Sequence, residues 1–428
     1  MATGRDRADP LAAFRQFLAL ERDVLVLSVA MFAFSLGFQM TGRYMPQYLS
    51  FLGASSVVIG LYGSVGNLIS AVYPYPGGAI SDRVGSRTAL TAFGLTSTLG
   101  FVLWVLAPVL DVPGLPVWVW IFVGLFLAQA WKSFGLGATF AIVKQSVPPD
   151  ELATGFASTE TFRRTAFLLG PLLAAGLIAA YQFELGFRYV LAVAAGFGLL
   201  ATVVQHVLYD ASEDSFGKSF EGVAQILADL RGMPDPLRPL LVGDTLVRFA
   251  NGMVYVFFVI VVTDFLAVDA TLPVVGYLGP EALFGVLLAV EMAVALLVMI
   301  PISKLARRVG LKPVVALGFA VYAVFPVLLI AAPANSLVVG LLFAFSGLRF
   351  AGLPAHKALI VGPAEKDAGG RVVGSYYLVR NAVTIPSAAI GGWIYGFAPE
   401  VAFGLATVVG VVGTGYFLAF GEDLDAYA

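Results

Sequence analysis

Apolar stretches long enough to cross a lipid bilayer recur twelve times along these 428 residues. A helix needs about 20 such residues to span the hydrocarbon core. With that ruler the first six candidates fall at 24–50, 55–80, 88–108, 117–144, 154–180 and 187–209. The second six fall at 239–263, 280–303, 313–333, 336–361, 371–396 and 402–420. Charged residues are only 12% of the chain, roughly half of what a water-facing surface carries. The solvent of this protein is lipid. The expected fold is an all-α membrane protein of twelve transmembrane helices.

The loops alternate in charge. One side carries the N-terminus, Arg83, Arg87, Lys144, Lys218, Arg231 and Arg238, then Lys304, Arg307, Arg308, Lys312, Lys366 and Arg371. The other side carries Asp111, Glu184, Asp264, Asp269, Glu281 and Glu400, with Arg188 as its one basic residue. Basic loops stay in the cytoplasm, which places both termini there, as an even number of spans requires. The first 22 residues hold Arg5, Arg7, Arg15 and Arg22 without an apolar centre, unlike a cleavable signal peptide. Cysteine is absent, so disulfides, thiolate metal sites and cysteine nucleophiles are excluded. No metal or other cofactor is expected. A net charge of −2 without a basic stripe gives nucleic acid nothing to bind.

The longest polar stretch, 210–237, contains FEGVAQILADL, which has helical periodicity and reads as a helix on the cytoplasmic surface. It divides the chain into a segment 1–23, a six-helix bundle 24–209, the linker, a second six-helix bundle 238–420 and an acidic tail 421–428. The two bundles repeat. A shift of 217 residues lays WKSFGLGA (131–138) over LRFAGLPA (348–355), pairing Lys132 with Arg349, and also pairs Arg163 with Arg380. Parallel repeats with substrate held between them near the midplane are typical of secondary transporters.

Charge inside a bilayer is costly and turns toward protein or water. Here it is concentrated: Arg43 in the first span, Lys132 in the fourth, Glu160, Arg163 and Arg164 in the fifth, Asp244 and Arg248 in the seventh. Glu291 lies in the eighth span, Arg349 and Lys357 in the tenth and Arg380 in the eleventh, whereas the third, sixth, ninth and twelfth have none at depth. That distribution predicts a polar cavity between the halves, with Arg43, Lys132, Arg248, Arg349, Arg380, Asn67 and Asn251 as candidate lining. Glu160 with Arg163 and Arg164, and Asp244 with Arg248, are also spaced to neutralise each other on one helix. Arg43, Lys132, Glu291 and Arg349 have no partner on their own helix. His356 beside Lys357 reads as a local interfacial pair, and His206 as interfacial.

The loop Gly78-Ala-Ile-Ser-Asp82-Arg83-Val-Gly85-Ser86-Arg87 resembles the signature G-x-x-x-D-R/K-x-G-R/K-R/K of the major facilitator superfamily, at the place that family puts it, with Ser86 departing from the pattern. The loop with Arg307, Arg308, Gly310 and Lys312 is similar to the family's degenerate second copy, with Arg307 where the acid belongs. The resemblance implies two pseudo-symmetric six-helix bundles and alternating access. It also implies a gate in which Asp82 latches a helix N-terminus, Arg83 and Arg87 are its basic partners and Gly78 and Gly85 are spacers. In the fifth span Gly170-Pro171, with Ala157, Ala166, Ala174 and Ala175, resembles the packing motif of the family's antiporters.

Two functions follow. One is proton-coupled efflux of drug-like or metabolite molecules, with Glu291, Glu160 and Asp244 as candidate proton carriers. The other is carriage of an organic or phosphorylated anion gripped by the intramembrane arginines. Two poorly placed histidines make an enzyme remote, and no ATP motif is present. The expected partners are a small-molecule substrate, protons and the lipid bilayer, for a monomer in the plasma membrane.

Overall fold

The computed structural model describes residues 22–134, 152–209, 235, 237–273, 275–350, 352–361 and 369–423. The expected surface helix in the linker and the segment before Arg22 lie outside the described residues. Among those residues, seven helices are each long and apolar enough to cross a membrane, or eight if the bent pair Leu25–Thr41 and Met45–Phe51 is one span. Shorter apolar helices occupy the second and fourth candidate spans.

Breaks place the polar groups. Helices α1 (Arg22–Thr41) and α2 (Met45–Phe51) meet at 42°, where Pro46 begins the second and Arg43 occupies the break. Helix α3 (Ser56–Val72) starts on Ser55, whose side chain accepts from the Val58 N–H. Helix α4 (Pro74–Val84) stops at Gly85, whose φ of 84° suits a residue without a Cβ. Helix α5 (Ser86–Leu106) follows at once. Helix α6 (Val119–Gln129) loosens into a π turn at Ala130–Phe134, which carries Lys132. Helix α7 (Leu152–Leu208) covers two candidate spans and reverses at Gln182, φ 60°.

The second half repeats this plan. Helix α8 (Leu237–Val254) passes through a 3-10 turn, Tyr255–Phe257, and the short α9 (Phe258–Ile260) into a π turn, Val261–Phe265, carrying Asp264. Helix α10 (Pro280–Val309) ends at Gly310, φ 91°, the counterpart of Gly85. Helices α11 (Leu311–Ile330), α12 (Ser336–Gly347), α13 (Leu353–Val361), α14 (Gly369–Thr384), α15 (Ser387–Tyr395) and α16 (Pro399–Phe420) complete it. One addition to the all-helical expectation is a hairpin of β1 (Ala270–Leu272) and β2 (Gly276–Leu278), turned at Gly276 with φ 83°. Its Tyr277 hydroxyl donates to Asp269 at 3.0 Å, and that bond raises the phenol pKa.

Among the described residues, the apolar core is continuous across the two halves on one face. Tyr44, Phe187 and Ile178 of the first half share a cluster with Phe257, Phe284, Phe343 and Phe403 of the second. The Tyr44 and Phe284 rings meet edge to face at 5.6 Å. This is the end of the molecule that bears the acidic loops. Toward the basic loops the core divides into two separate clusters. One is built on Val26, Phe34, Leu90 and Trp131, the other on Leu240, Val314, Phe319 and Tyr376. The halves are thus packed together at the acidic face.

Candidate functional site

Asp244 has no exposed surface, and four side chains from three helices converge on it. Arg248, one turn along α8, places Nε 3.3 Å from Oδ1. Arg380 of α14 places Nη1 3.1 Å from Oδ2, and the Tyr376 hydroxyl donates to the same oxygen at 3.1 Å. Nε2 of His356, from α13, stands 3.2 Å from Oδ2 without the alignment of a hydrogen bond. His356 is only 4% exposed, so its expected interfacial position is corrected: it lies on the inner face of α13, toward the buried acid, whose negative charge draws the imidazole.

A second carboxylate, Glu291 of α10, is held from both halves. Arg349 Nη2 lies 2.6 Å from Oε1 and Arg43 Nη2 lies 3.7 Å from Oε2, while the Ser346 hydroxyl donates to Oε1. The groups that lack partners on their own helices therefore find them on others. Arg349 is 3% exposed, and its guanidinium lies 4.8 Å from the Phe350 ring and 5.1 Å from the Tyr322 ring. Rings at that range offset part of the cost of burying a cation. Among the described residues, Arg349 Nε and Nη1 have no hydrogen-bond partner.

Tyr322 of α11 joins the two groups. Its ring faces Arg349, and its hydroxyl accepts from Arg248 Nη1 at 2.9 Å. Nothing in a tyrosine within an apolar span marks it for that part. Together the two groups set four guanidiniums, Arg43, Arg248, Arg349 and Arg380, against the two carboxylates Asp244 and Glu291.

Between the halves lies a cavity of about 250 Å³, walled by α3 on one side and by α8, α14 and α15 on the other. Asn67, Arg248, Asn251 and Arg380 line it, together with Asn381 and Thr384. Among its described lining residues are two guanidiniums and no carboxylate. Asp244 stands behind the wall. Tyr255 also lines the cavity and stacks under Arg43 at 4.0 Å. Glu291 and Arg349 do not line it; they are sealed in the adjoining contact. Lys132 is exposed, its ammonium 5.5 Å from the Phe38 ring centre, and it does not join this group.

At the basic face Arg87 Nε donates to the carbonyl of His206 at 2.8 Å. A cation there also opposes the negative end of α7. His206 is exposed and shares a hydrogen bond with Thr91. Arg83 is exposed. The side chains of Asp82, Glu160 and Arg163 lie outside the described residues, as do the surroundings of Gly78. In the second copy of the loop, where Arg307 replaces the acid, a carboxylate arrives from the tail. Asp423 Oδ1 accepts from the N–H of Leu311 at 2.9 Å and of Lys312 at 3.1 Å, capping α11. Gly170 lies against Gln39 and Met40 of α1, where a Cβ would collide. The Pro171 carbonyl lies against Gly285 of α10.

The sequence pattern described as "Major Facilitator Superfamily" matches residues 27–279. A protein described as an uncharacterized MFS-type transporter, from Methanocaldococcus jannaschii, is 23% identical over 405 residues, covering 94% of this chain and 95% of its own length. Among solved structures, a POT family transporter in complex with 5-aminolevulinic acid superposes with a TM-score of 0.74 at 14% identity, over 95% of this chain and 99% of that one. The nucleoside transporter NupG gives a TM-score of 0.72 at 12% identity, over 94% of this chain and 100% of its own. These likenesses show the fold that the helices above build.

Proposed function

The chain belongs to the major facilitator superfamily and is a multi-pass membrane transporter rather than an enzyme; from the charge of its cavity we propose that its cargo is a small organic anion. The observation that carries this reading is the pair Arg248 and Arg380 on one cavity wall, with their acid buried behind it. A guanidinium presents a fork of N–H groups that matches a carboxylate or phosphate. An anion entering the cavity meets two such forks plus the amides of Asn67, Asn251 and Asn381. Each buried group holds one cation more than it holds acids, and a bound anion offsets that excess. A drug-like apolar cargo would meet a polar wall here.

In this reading the basic face is cytoplasmic, the chain acts as a monomer in the plasma membrane, and the conformation is closed to the outside. The halves 24–209 and 238–420 rock about the cavity, with Asp82, Arg83 and Arg87 holding the cytoplasmic gate in the opposite state. Proton-coupled efflux remains a second reading on one observation. Glu291 is tied to Arg43 of the other half at 3.7 Å. A proton on Glu291 would weaken that tie, so this carboxylate, with Glu160 and Asp244 as further candidates, could couple protons to rocking.

Counterflow in proteoliposomes separates the two. Exchange of a labelled small carboxylate is expected in the parent protein. It should fall by at least tenfold in Arg380→Gln, the loss of roughly one charge-assisted bond. Exchange of a lipophilic cation, abolished by Glu291→Gln and untouched by Arg380→Gln, would replace the anion reading with the efflux reading.

A further inference from the structure

Gln47 of α2 donates through Nε2 to Asp264 Oδ1 at 2.8 Å, linking the two halves at the acidic face. The two residues are 217 positions apart, the same shift that relates the repeats. Under it Gln47-Tyr48-Leu49-Ser50 lies over Asp264-Phe265-Leu266-Ala267. Residues that correspond under a two-fold operation can touch each other only near its axis. This bond therefore lies close to the pseudo-two-fold axis, where a path between two rocking halves must run.

The contacts beside it obey the same symmetry. Gly60 of α3 lies against the Ala388 carbonyl and Gly392, so closely that a Cβ would not fit. Gly285 of α10 lies in the same way against the Pro171 carbonyl and Ala175. Pro171 and Ala175 are the counterparts of Ala388 and Gly392 under the 217-residue shift. Gly60 and Gly285 correspond under the 225-residue shift that also relates Gly85 to Gly310. Two equivalent close approaches thus flank one axial bond. Small residues allow such approach in lipid, and each flank adds one bond of its own: the Ala389 N–H donates to Ser64 Oγ at 2.9 Å, and the Tyr44 hydroxyl donates to the Glu281 carbonyl at 2.9 Å.

We infer that Gln47 and Asp264 form the central latch of the acidic-face gate, and that the latch is held at less than its full strength. Gln47 Oε1 is buried with no hydrogen-bond partner among the described residues, although Nε2 is satisfied. A carboxylate has no hydrogen to offer it. A gate that must open in every cycle gains from this, because a complete pair would hold longer. The neighbouring groups leave the latch acidic: Asp269 immediately precedes the hairpin, Glu281 heads α10, and Tyr395 of α15 lies within reach of both Asp264 and Glu400. Glu184 and Arg188 stand by Tyr48 on the first-half side.

The absence of cysteine makes the test direct. Val256 lines the cavity, so Val256→Cys reports on access when a membrane-impermeant thiol reagent is applied from the acidic face. Asp264→Ala and Gln47→Ala are expected to raise the labelling rate about tenfold, since one hydrogen bond to a charged group is lost. Asp264→Asn should do the opposite and label no faster than the parent. Its amide keeps an acceptor for Gln47 Nε2 and adds a donor for the orphaned Oε1. Gln47→Glu, which opposes two carboxylates, should open the gate, and adding Asp264→Lys should close it again. Those last two variants decide the matter if an alanine variant folds poorly. Equal labelling of Asp264→Asn and Asp264→Ala, or no change in either, would overturn the latch. The inference rests on alternating access but not on the cargo. Failure of anion counterflow with intact latch behaviour removes only the anion, and the reverse outcome removes only the latch.

Discussion

Replacing Asp244 with alanine is expected to cost about 3–5 kcal/mol of stability, the usual penalty for removing one member of a buried charged pair. Arg248, Arg380, His356 and Tyr376 would all lose the group they share. The measurement is thermal unfolding in detergent, read as a fall of several degrees in the midpoint. Asp244→Asn should lose less, because an acceptor remains for Tyr376. That variant also frees two guanidiniums that line the cavity, so the anionic cargo should raise its midpoint more than it raises the parent's. A midpoint of Asp244→Ala equal to the parent's would mean that the arginines do not depend on this acid.

The second large effect concerns Glu291 and Arg349. Glu291→Leu leaves Arg349 buried at 3% exposure without an acid, again at about 3–5 kcal/mol. Arg349→Leu leaves Glu291 its longer tie to Arg43 at 3.7 Å and should cost somewhat less. The double variant removes both charges and is expected to recover most of that stability, because apolar residues of similar volume replace a buried pair at little net cost. A double-mutant cycle of thermal midpoints measures the coupling. Transport should not recover with stability. Arg43, stacked on Tyr255, would then have no acid across the interface, and the halves would lose their tie at that level. Full transport by the double variant would make the pair a packing feature.

Much of this was legible in order along the chain. Apolar run length identified the helices, and loop charge identified the two faces. Spacing alone paired Asp244 with Arg248, because both stand on one helix. The signature loop between Gly78 and Arg87 carried the family. Partners from other helices were not legible. His356 and Arg380 lie more than a hundred residues from Asp244, and nothing in FPVLLI or FAVYAV distinguishes Tyr322 as the link between two charged groups. The same limit made Arg349 look like cavity lining, when it is occupied by Glu291. Lys132 and Arg349 show how far repeats diverge. They correspond by position, yet Arg349 is sealed against Glu291 while Lys132 is exposed beside Phe38. The 217-residue shift makes Gln47 and Asp264 equivalent positions, but equivalence in a repeat does not imply contact, which only the three-dimensional packing brings about.

The central claim is that arginines turned away from lipid leave a net positive cavity between the halves. Its most direct test uses Thr384→Cys, at the cavity wall, and compares the rates of reaction with anionic and cationic thiol reagents of equal size. A cavity holding two guanidiniums and no carboxylate at its wall should favour the anionic reagent by roughly tenfold, about 1.4 kcal/mol, and Arg380→Gln should shrink that ratio. Equal rates, or faster reaction with the cation, would contradict the account.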